Sequence, residues 1–264
     1  MKLGFIGCGN MAGAIMGGII NHHMCEKNEI IGSALSENTR ERMQEMHGIR
    51  VTADNKEVVR VADIVVLAVK PQYYESVICE IKDIVRDGQI FISIAPGKTL
   101  AWLGERLGKT VKIVRTMPNT PALVSEGMTG VCANAFVTEE EMEMVRHLLS
   151  ATGKVEVVPE HLMDVVSGVS GSSPAYVFMF IEAMADAAVA GGMPRAQAYK
   201  FAAQAVLGSA KMVLETGKHP GELKDMVCSP AGTTIQAVRV LEERGFRSAV
   251  FEAIDTGIQK AKGM

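Results

Sequence analysis

Hydrophobic and polar positions follow different patterns in the two halves of the chain. In the first half, short apolar runs predict β-strands at residues 3–6, 29–35, 49–52, 62–69, 89–94 and 111–115. Amphipathic segments of helix length separate most of these runs, at residues 10–22, 38–47, 74–85 and 100–107. Strands that alternate with helices are joined by right-handed crossovers into a parallel sheet with helices on both faces. The first half is therefore predicted to be an α/β domain with a doubly wound, mostly parallel sheet.

The second half shows only helical patterns. Helices are predicted at residues 173–191, 194–215, 220–227, 232–244 and 246–262, and no strand pattern follows residue 160. The chain is therefore predicted to divide into an α/β domain at residues 1–158 and an all-helical domain at residues 159–264.

The predicted helix at residues 173–191 is apolar around most of its circumference. It is long enough to span a bilayer, but Glu182 and Asp186 lie in its middle, where a membrane would make their charges costly. A helix that is apolar all round is buried on several sides, and a domain of about 100 residues has little interior to cover it. We therefore expect no membrane contact, but an obligate homo-oligomer with contacts through the helical domain.

Composition narrows the class of protein further. The 264 residues include 27 Lys and Arg against 30 Asp and Glu, a net charge of −3, so no basic field favours nucleic acid or an anionic membrane. The five cysteines are widely spaced without a CxxC pair, which predicts free thiols rather than disulfides or a zinc site. With no pattern typical of a secretion signal, we expect a cytoplasmic protein without a bound metal.

A glycine-rich turn follows the first predicted strand and opens the first predicted helix. Its sequence fits G-x-G-x-x-G/A and reads Gly7-Cys8-Gly9-Asn10-Met11-Ala12. In this context the first glycine permits a tight turn, the second lets a diphosphate approach the backbone, and the helix N-terminus attracts the anion. An ordinary glycine turn is the alternative. The context favours a dinucleotide-binding domain of the Rossmann type.

The end of the second strand bears on the choice of cofactor. Ser36 lies where NAD-binding domains usually place an acidic residue for the ribose hydroxyl. Ser36, Asn38 and Arg40 are suited to a 2′-phosphate, whereas Glu37 would repel one if it pointed inward. NADPH is therefore favoured, with NADH as the alternative, and Ser36 is also a plausible helix cap.

Three further turns lie where ligands bind at the carboxyl edge of such a sheet. Val69-Lys70-Pro71 ends the fourth strand, and Lys70 is either a solvated charge or a cofactor contact. Ala95-Pro96-Gly97 ends the fifth strand and is expected near the nicotinamide. The proline-bounded loop at residues 117–121 suits the lip of a site and a plain structural loop equally well.

Two hydroxyl-rich turns open predicted helices in the second half, at residues 170–174 and 228–234. Hydroxyls and free N–H groups at a helix N-terminus bind a carboxylate without arginine, although simple helix capping explains one hydroxyl in each. No acid–base pair or G-x-S-x-G motif stands out. Hydride transfer to a polarised C=N bond needs orientation more than proton abstraction.

Several segments together resemble the pyrroline-5-carboxylate reductase family nearly end to end. They are residues 5–11, 68–71, 117–121, 169–176 and, most specifically, 220–238. The resemblance implies a Rossmann domain with a helical oligomerisation domain that forms homodimers, which can assemble into a larger homo-oligomer. It also implies reduction of 1-pyrroline-5-carboxylate to L-proline with NADPH or NADH.

The same resemblance implies roles for individual residues. Ile6, Gly7, Cys8, Gly9, Asn10 and Met11 would hold the diphosphate, Asn55 the adenosine end, Val69, Lys70 and Pro71 the cofactor, and Ala95, Pro96 and Gly97 the nicotinamide. Gly232, Thr233 and Thr234 would bind the substrate carboxylate, with Glu160 near the substrate and Ser172 or Thr234 hydrogen-bonding the imine nitrogen. Two residues depart from the family pattern: Pro96 removes a backbone donor, and Ala231 replaces a glycine, which is tolerable unless its φ is positive.

Two rival functions differ in testable ways. A β-hydroxyacid dehydrogenase would need a lysine at the position that Val177 occupies, so alcohol oxidation by that route is disfavoured. A non-catalytic NADP-sensing protein would bind the cofactor without turnover, and it leaves the hydroxyl-rich turn at residues 229–234 unexplained.

Overall fold

The computed structural model describes residues 1–108 and 110–263. Residues group into two compact units, Met1–Ser172 with Gly257–Met264, and Ser173–Thr256. The first unit is built on a β-sheet and the second is helical, as the sequence predicts.

The first unit contains an eight-stranded sheet over its described residues. Its strands are β1 (Leu3–Ile6), β2 (Ile30–Ser33), β3 (Arg50–Thr52), β4 (Ile64–Leu67), β5 (Ile90–Ser93), β6 (Lys112–Met117), β7 (Gly127–Ala133) and β8 (Gly153–Val157). The spatial order is β3-β2-β1-β4-β5-β6-β7-β8, with β1 to β6 parallel and β7 antiparallel to β6. The predicted doubly wound, mostly parallel sheet is confirmed.

Helices cover both faces of this sheet. They are α1 (Asn10–Asn21), α2 (Glu37–His47), α3 (Asn55–Val61), α4 (Tyr74–Ile81), α5 (Leu100–Leu107), α6 (Glu139–Ser150) and the short α7 (Met163–Val166). One apolar core joins the sheet to α1, α2 and α6, and the other joins it to α3, α4 and α5. Because both faces are covered, every residue of β1, β4 and β5 is buried, which accounts for their continuous apolar runs.

Five elements of this unit are absent from the sequence-based prediction: α3, β7, α6, β8 and the short α7. Strand β7 contains Gly127 and Gly130, which in a sequence favour turns. In the structure a Cβ atom on Gly127 would lie 2.7 Å from the Thr152 carbonyl oxygen, and one on Gly130 would lie 2.9 Å from Val166. These glycines permit close packing inside the sheet instead of a turn.

The boundary between the compact units differs from the predicted boundary at residues 158/159. The units divide after Ser172, so the segment 159–172 belongs with the sheet. It includes a π-helical turn at Ser167–Gly171, and buried Arg115 of β6 bonds two of its carboxylates. These contacts, which the sequence pattern does not reveal, attach the segment to the first unit.

The helices that follow are α8 (Ser173–Ala190), α9 (Arg195–Thr216), α10 (Pro220–Val227), α11 (Thr233–Glu243) and α12 (Phe246–Lys262), and no strand occurs between residues 160 and 263. Within a single chain only Pro174 and Ala185 of α8 are buried, in keeping with the expectation that this domain alone cannot cover the helix. Phe178 and Met179 are 59% and 67% exposed. By length and composition alone, Glu160–Ala190 is also apolar enough to cross a membrane.

Candidate active site

The carboxyl ends of β1, β4 and β5 surround a cleft of about 600 Å³ in the first unit. Its lining residues are Gly9, Asn10, Met11, Ala68, Val69, Lys70, Pro71, Ile94, Ala95, Pro96, Pro118, Thr120 and Leu123. Eight of these, namely Gly9, Asn10, Met11, Val69, Lys70, Pro71, Ala95 and Pro96, belong to the predicted cofactor-binding set. Three turns that lie far apart in sequence thus meet at one edge of the sheet.

The two glycines of the β1–α1 turn have different roles. Gly7 has a φ of 95°, and a Cβ atom there would lie 2.8 Å from the backbone of Ala68 and Val69. Gly9 has an ordinary φ of −78°, and a Cβ atom there would meet nothing within 4 Å. Gly7 is therefore required by the fold of the turn, whereas Gly9 leaves open space where an anion can reach the α1 N-terminus.

Two predicted residues of this turn point away from the cleft. Ile6 is fully buried in the core, and the Cys8 side chain lies under β2 close to Gly32. Burial raises the pKa of the Cys8 thiol to about 11, and the positive charge of nearby Arg42 offsets only part of this increase. Ile6 and Cys8 can therefore contribute only backbone groups to a ligand, and the Cys8 thiol is unreactive near neutral pH.

Tyr74, which the sequence analysis does not single out, supports the ends of β4 and β5. Its ring is fully buried, its hydroxyl donates to the Leu67 carbonyl at 2.5 Å, and Ser93 donates to the same hydroxyl at 3.2 Å. Burial raises the pKa of Tyr74 to about 12, so the phenol stays neutral. Tyr74 fixes the strands from which the turns at Val69–Pro71 and Ala95–Gly97 extend.

The predicted adenosine end lies at the β2–α2 turn. Ser36 caps α2, and its hydroxyl accepts the Thr39 N–H at 3.2 Å. The residue is exposed at the start of the helix. Arg40 donates to the carbonyls of Ala34 and Leu35, each at 2.7 Å, which holds its guanidinium beside the turn. A cation and a hydroxyl therefore lie at the position where a 2′-phosphate is expected.

Asn55 begins α3 next to β2. Its side-chain oxygen accepts the Ser33 hydroxyl at 2.7 Å, and its amide nitrogen donates to Glu80 at 2.8 Å. Neither Ser36 nor Asn55 lines the large cleft, and both lie near the carboxyl end of β2. The geometry thus separates these two residues from the eight that line the cleft.

The loop after β6 has both of the roles that the sequence left open. Pro118 and Thr120 line the cleft, whereas Asn119 is buried and makes two structural hydrogen bonds. Its amide nitrogen donates to the Ser170 carbonyl at 3.0 Å, and its side-chain oxygen accepts the Met128 N–H at 2.8 Å. Asn119 therefore joins the cleft loop to the π-helical turn.

Glu160 and Gly97 lie close to the cleft without lining it. Gly97 has a φ of 72°, which favours glycine at the turn before α5. One carboxylate oxygen of Glu160, Oε1, accepts the Leu100 N–H at 2.7 Å and the Arg115 guanidinium at 3.2 Å. The carboxylate predicted to lie near the substrate is thus already bonded to the protein.

The predicted substrate residues occupy two helix starts. Ser172 is half-buried just before α8, and its hydroxyl donates to the Ser167 carbonyl at 3.3 Å. In the helical unit, Gly232 is the cap residue of α11 and Thr233 begins the helix, without a side-chain cap bond. The first N–H groups of α11 and the hydroxyls of Thr233 and Thr234 therefore form a turn that can bind an anion.

Ala231, just before this turn, has a positive φ of 57°. A Cβ atom is disfavoured in this left-handed region of φ. The alanine that replaces the family glycine therefore strains the backbone here.

A dinucleotide-type cleft at the carboxyl edge of a sheet whose first six strands have the order 3-2-1-4-5-6, in a chain that also contains a helical unit, defines an NAD(P)-dependent oxidoreductase of the Rossmann class. Comparison with known proteins gives the family. Residues 2–97 match the model "NADP oxidoreductase coenzyme F420-dependent", and residues 160–264 match "Pyrroline-5-carboxylate reductase dimerisation". The chain belongs to the pyrroline-5-carboxylate reductase family.

Individual members of this family are similar to the chain along nearly its whole length. The pyrroline-5-carboxylate reductase of Escherichia coli is 55% identical over 99% of this chain and 97% of its own. Among solved structures, the enzyme of Coxiella burnetii is 37% identical with a TM-score of 0.92, covering 99% of this chain and 97% of that one. The Plasmodium falciparum enzyme, solved with NADP bound, is 33% identical with a TM-score of 0.91, covering 100% and 97%.

Proposed function

We propose that this protein reduces the C=N bond of 1-pyrroline-5-carboxylate to give L-proline, the last step of proline biosynthesis, with NADPH as the reductant. The observation that carries the proposal is the cleft that runs from Gly9 to the turn at Ala95 and Pro96, in a chain that matches this family from end to end. The rival function, that of a β-hydroxyacid dehydrogenase, is disfavoured because Val177 stands where the lysine of that family is needed.

The residues of the cleft fit a dinucleotide. Next to Gly9 there is open space, which a Cβ atom at this position would partly occupy. The first turn of α1 presents its N–H groups to this space. Asn10 and Met11 continue the proposed diphosphate site. Val69, Lys70 and Pro71 line the part of the cleft beside the bound cofactor. NADPH, when bound, supplies the hydride that reduces the imine carbon.

The β2–α2 turn supports a preference for NADPH over NADH. Arg40 is anchored beside the turn, and the hydroxyl of Ser36 is exposed there. No acidic side chain takes the place of Ser36 at the end of β2, where it would repel a 2′-phosphate. Asn55, bonded to Ser33, supports the adenosine end of the same site.

The N-terminus of α11 is the proposed site of the substrate carboxylate. Its first N–H groups have no side-chain cap at Gly232, and Thr233 and Thr234 add hydroxyl donors. A helix N-terminus with these groups stabilises an anion without a cationic side chain.

Ser172 is suited to contact the protonated imine nitrogen. Because its hydroxyl proton is directed to the Ser167 carbonyl, the oxygen is left as an acceptor for an N–H group. In this role Ser172 orients the imine and donates no proton, and the proton on nitrogen comes from solvent.

The exposed apolar surface of α8 supports a homodimer, in keeping with the dimerisation model that matches residues 160–264. In a dimer the side chains of Phe178, Met179 and Phe180, which are exposed in one chain, would be covered by the second copy.

The direct test is proline formation from 1-pyrroline-5-carboxylate, with NADPH and NADH compared on the same imine. We expect proline with both cofactors and a higher kcat/KM with NADPH. Cofactor binding without turnover would instead support a sensing protein, and oxidation of a hydroxy acid would support the dehydrogenase.

Thr234→Ala tests the carboxylate site. Loss of a hydrogen bond to a charged group should raise the imine KM roughly tenfold, with the NADPH KM unchanged. Thr234→Ser keeps the hydroxyl and should recover most of the loss. Unchanged kinetics in Thr234→Ala would remove this residue from the site.

A further inference from the structure

Glu160 makes its contacts inside the sheet unit. Its Oε1 accepts the backbone N–H of Leu100, the first residue of α5, and also the guanidinium of Arg115. Its side chain is 34% exposed, so the carboxylate lies at the margin of the protein interior. Glu160 therefore links the segment after β8 to the turn after β5, although 60 residues separate it from Leu100.

Arg115 forms a fork between two carboxylates. Its Nη1 donates to Glu160 and its Nη2 to Asp164 Oδ1, each at 3.2 Å, and its side chain is only 6% exposed. Ion pairs between a buried arginine and partly exposed carboxylates are a weak source of stability, because desolvation of the arginine and solvent screening of the carboxylates offset much of the attraction. The planar guanidinium of Arg115 instead fixes the orientation of the two carboxylates. This suggests that the cluster serves to hold neighbouring segments in position.

The neighbour placed in this way is the turn Ala95–Gly97. The space behind this turn is lined by Arg115, Asp164 and their neighbours, and it leaves no room for a water molecule. On its other side, Ala95 and Pro96 line the nucleotide cleft. The turn therefore lies between the cluster and the proposed position of the nicotinamide.

We propose that Glu160 is a positioning residue that, through Leu100 N–H and Arg115, holds the turn Ala95–Gly97 in place for the cofactor and makes no contact with the substrate. This inference rests on the proposed function only in taking the cleft as the NADPH site. It replaces the sequence-based expectation that Glu160 binds the substrate.

The two roles of Glu160 predict opposite results for NADPH binding in the absence of the imine. A positioning residue affects this binary complex, whereas a substrate ligand affects only the imine KM. Trp102, the single tryptophan of the chain, lies in α5 two residues from Leu100 and reports directly on this region. Quenching of its fluorescence by NADPH gives the dissociation constant.

The first experiment compares Glu160→Ala with Glu160→Gln. Glu160→Ala should raise the Kd for NADPH about tenfold, equivalent to about 1.4 kcal/mol, with the imine KM at saturating NADPH changed less than about twofold. Glu160→Gln keeps an oxygen that can accept both hydrogen bonds, so its Kd should stay within about twofold of the wild type. Arg115 remains paired with Asp164 in both variants, which protects the fold.

The second experiment removes the donor instead of the acceptor. Leu100→Pro deletes the N–H at the first position of α5, where proline is well tolerated, and Thr99 already has the extended conformation that precedes proline. Leu100→Ala loses the same side chain but keeps the N–H, so it is the matched control. Leu100→Pro should raise the Kd for NADPH about tenfold above the value for Leu100→Ala.

Glu156→Ala, an exposed carboxylate on β8, controls for the loss of negative charge near this segment and should leave the Kd unchanged. If Glu160→Ala binds NADPH like the wild type, or if Glu160→Gln raises only the imine KM, the positioning role is wrong and a substrate contact is supported. Equal affinities of Leu100→Pro and Leu100→Ala would also overturn it. Failure of the wild type to form proline would instead refute the proposed function.

Discussion

Ala231 has a backbone conformation that its own side chain disfavours. At a φ of 57°, a non-glycine residue costs roughly 1–2 kcal/mol relative to the right-handed region. This strain lies directly before the α11 turn that we propose binds the substrate carboxylate. The sequence indicated the substitution, but only the φ angle shows that it has a cost.

Replacing this residue should therefore stabilise the protein. Ala231→Gly relieves the strain but increases the conformational entropy of the unfolded chain, which offsets part of the benefit, so we expect a net gain of about 0.5–1 kcal/mol in the free energy of unfolding. Denaturant titration at one fixed protein concentration measures it. Ala203→Gly, at an exposed position inside α9, should instead lose about 1 kcal/mol; a loss in both variants would show that Ala231 is unstrained.

The two glycines of the β1–α1 turn should respond differently to the same substitution. Gly7→Ala forces a Cβ atom against the backbone of Ala68 and Val69 at a positive φ, and should destabilise the fold by roughly 3 kcal/mol. Gly9→Ala should change stability by less than about 1 kcal/mol but weaken NADPH binding at least about tenfold, since the methyl group enters the diphosphate space.

Thermal unfolding and NADPH titration of both variants separate these effects. A Gly9→Ala protein that binds NADPH with normal affinity would place the diphosphate elsewhere.

Among the secondary-structure elements, hydrophobic runs were sufficient to predict β1 to β6. Of these strands, β1, β2, β4 and β5 are buried along their whole length, because helices cover both faces of the sheet there. They failed at β7, where Gly127 and Gly130 allow close packing that in sequence resembles a turn. The short α3, of seven residues, offers too little periodicity to be detected. The glycine-rich turn was found because its motif is local in sequence.

The start of α2 offers a test of cofactor preference. Ser36→Asp keeps a good N-cap for α2, so stability should hold, but it adds a negative charge where the 2′-phosphate is proposed to lie. The ratio of kcat/KM for NADPH to that for NADH should fall at least about tenfold, or about 1.4 kcal/mol. Ser36→Asn is the uncharged control with a comparable cap, and an equal fall in that variant would exclude an electrostatic cause.

At the scale of the whole molecule, the site depends on contacts that no local pattern contains. Glu160 bonds Leu100, Arg115 bonds Asp164 and Asn119 bonds Ser170, over separations of 60, 49 and 51 residues. Sequence reasoning therefore placed the turns at one sheet edge, because parallel strands end together, but it could not pair these side chains.

Assembly through α8 can be tested with two methionines of similar exposure. Met179→Glu places a charge on the apolar α8 surface, at a position 67% exposed in one chain, and should shift the protein to monomers with loss of activity. Met46→Glu, at a 65% exposed position on α2, should leave the oligomer intact. Sedimentation velocity checks both, and a Met179→Glu protein that stays oligomeric would place the interface elsewhere.

The poorly covered α8 has a thermodynamic consequence. If its apolar surface is covered only on association, folding of the helical unit is linked to a bimolecular equilibrium, and dilution acts as a denaturant. The midpoint of thermal unfolding should then rise with the logarithm of total subunit concentration instead of being a constant of the chain. The number of copies per cell would thereby affect how much of the protein is folded.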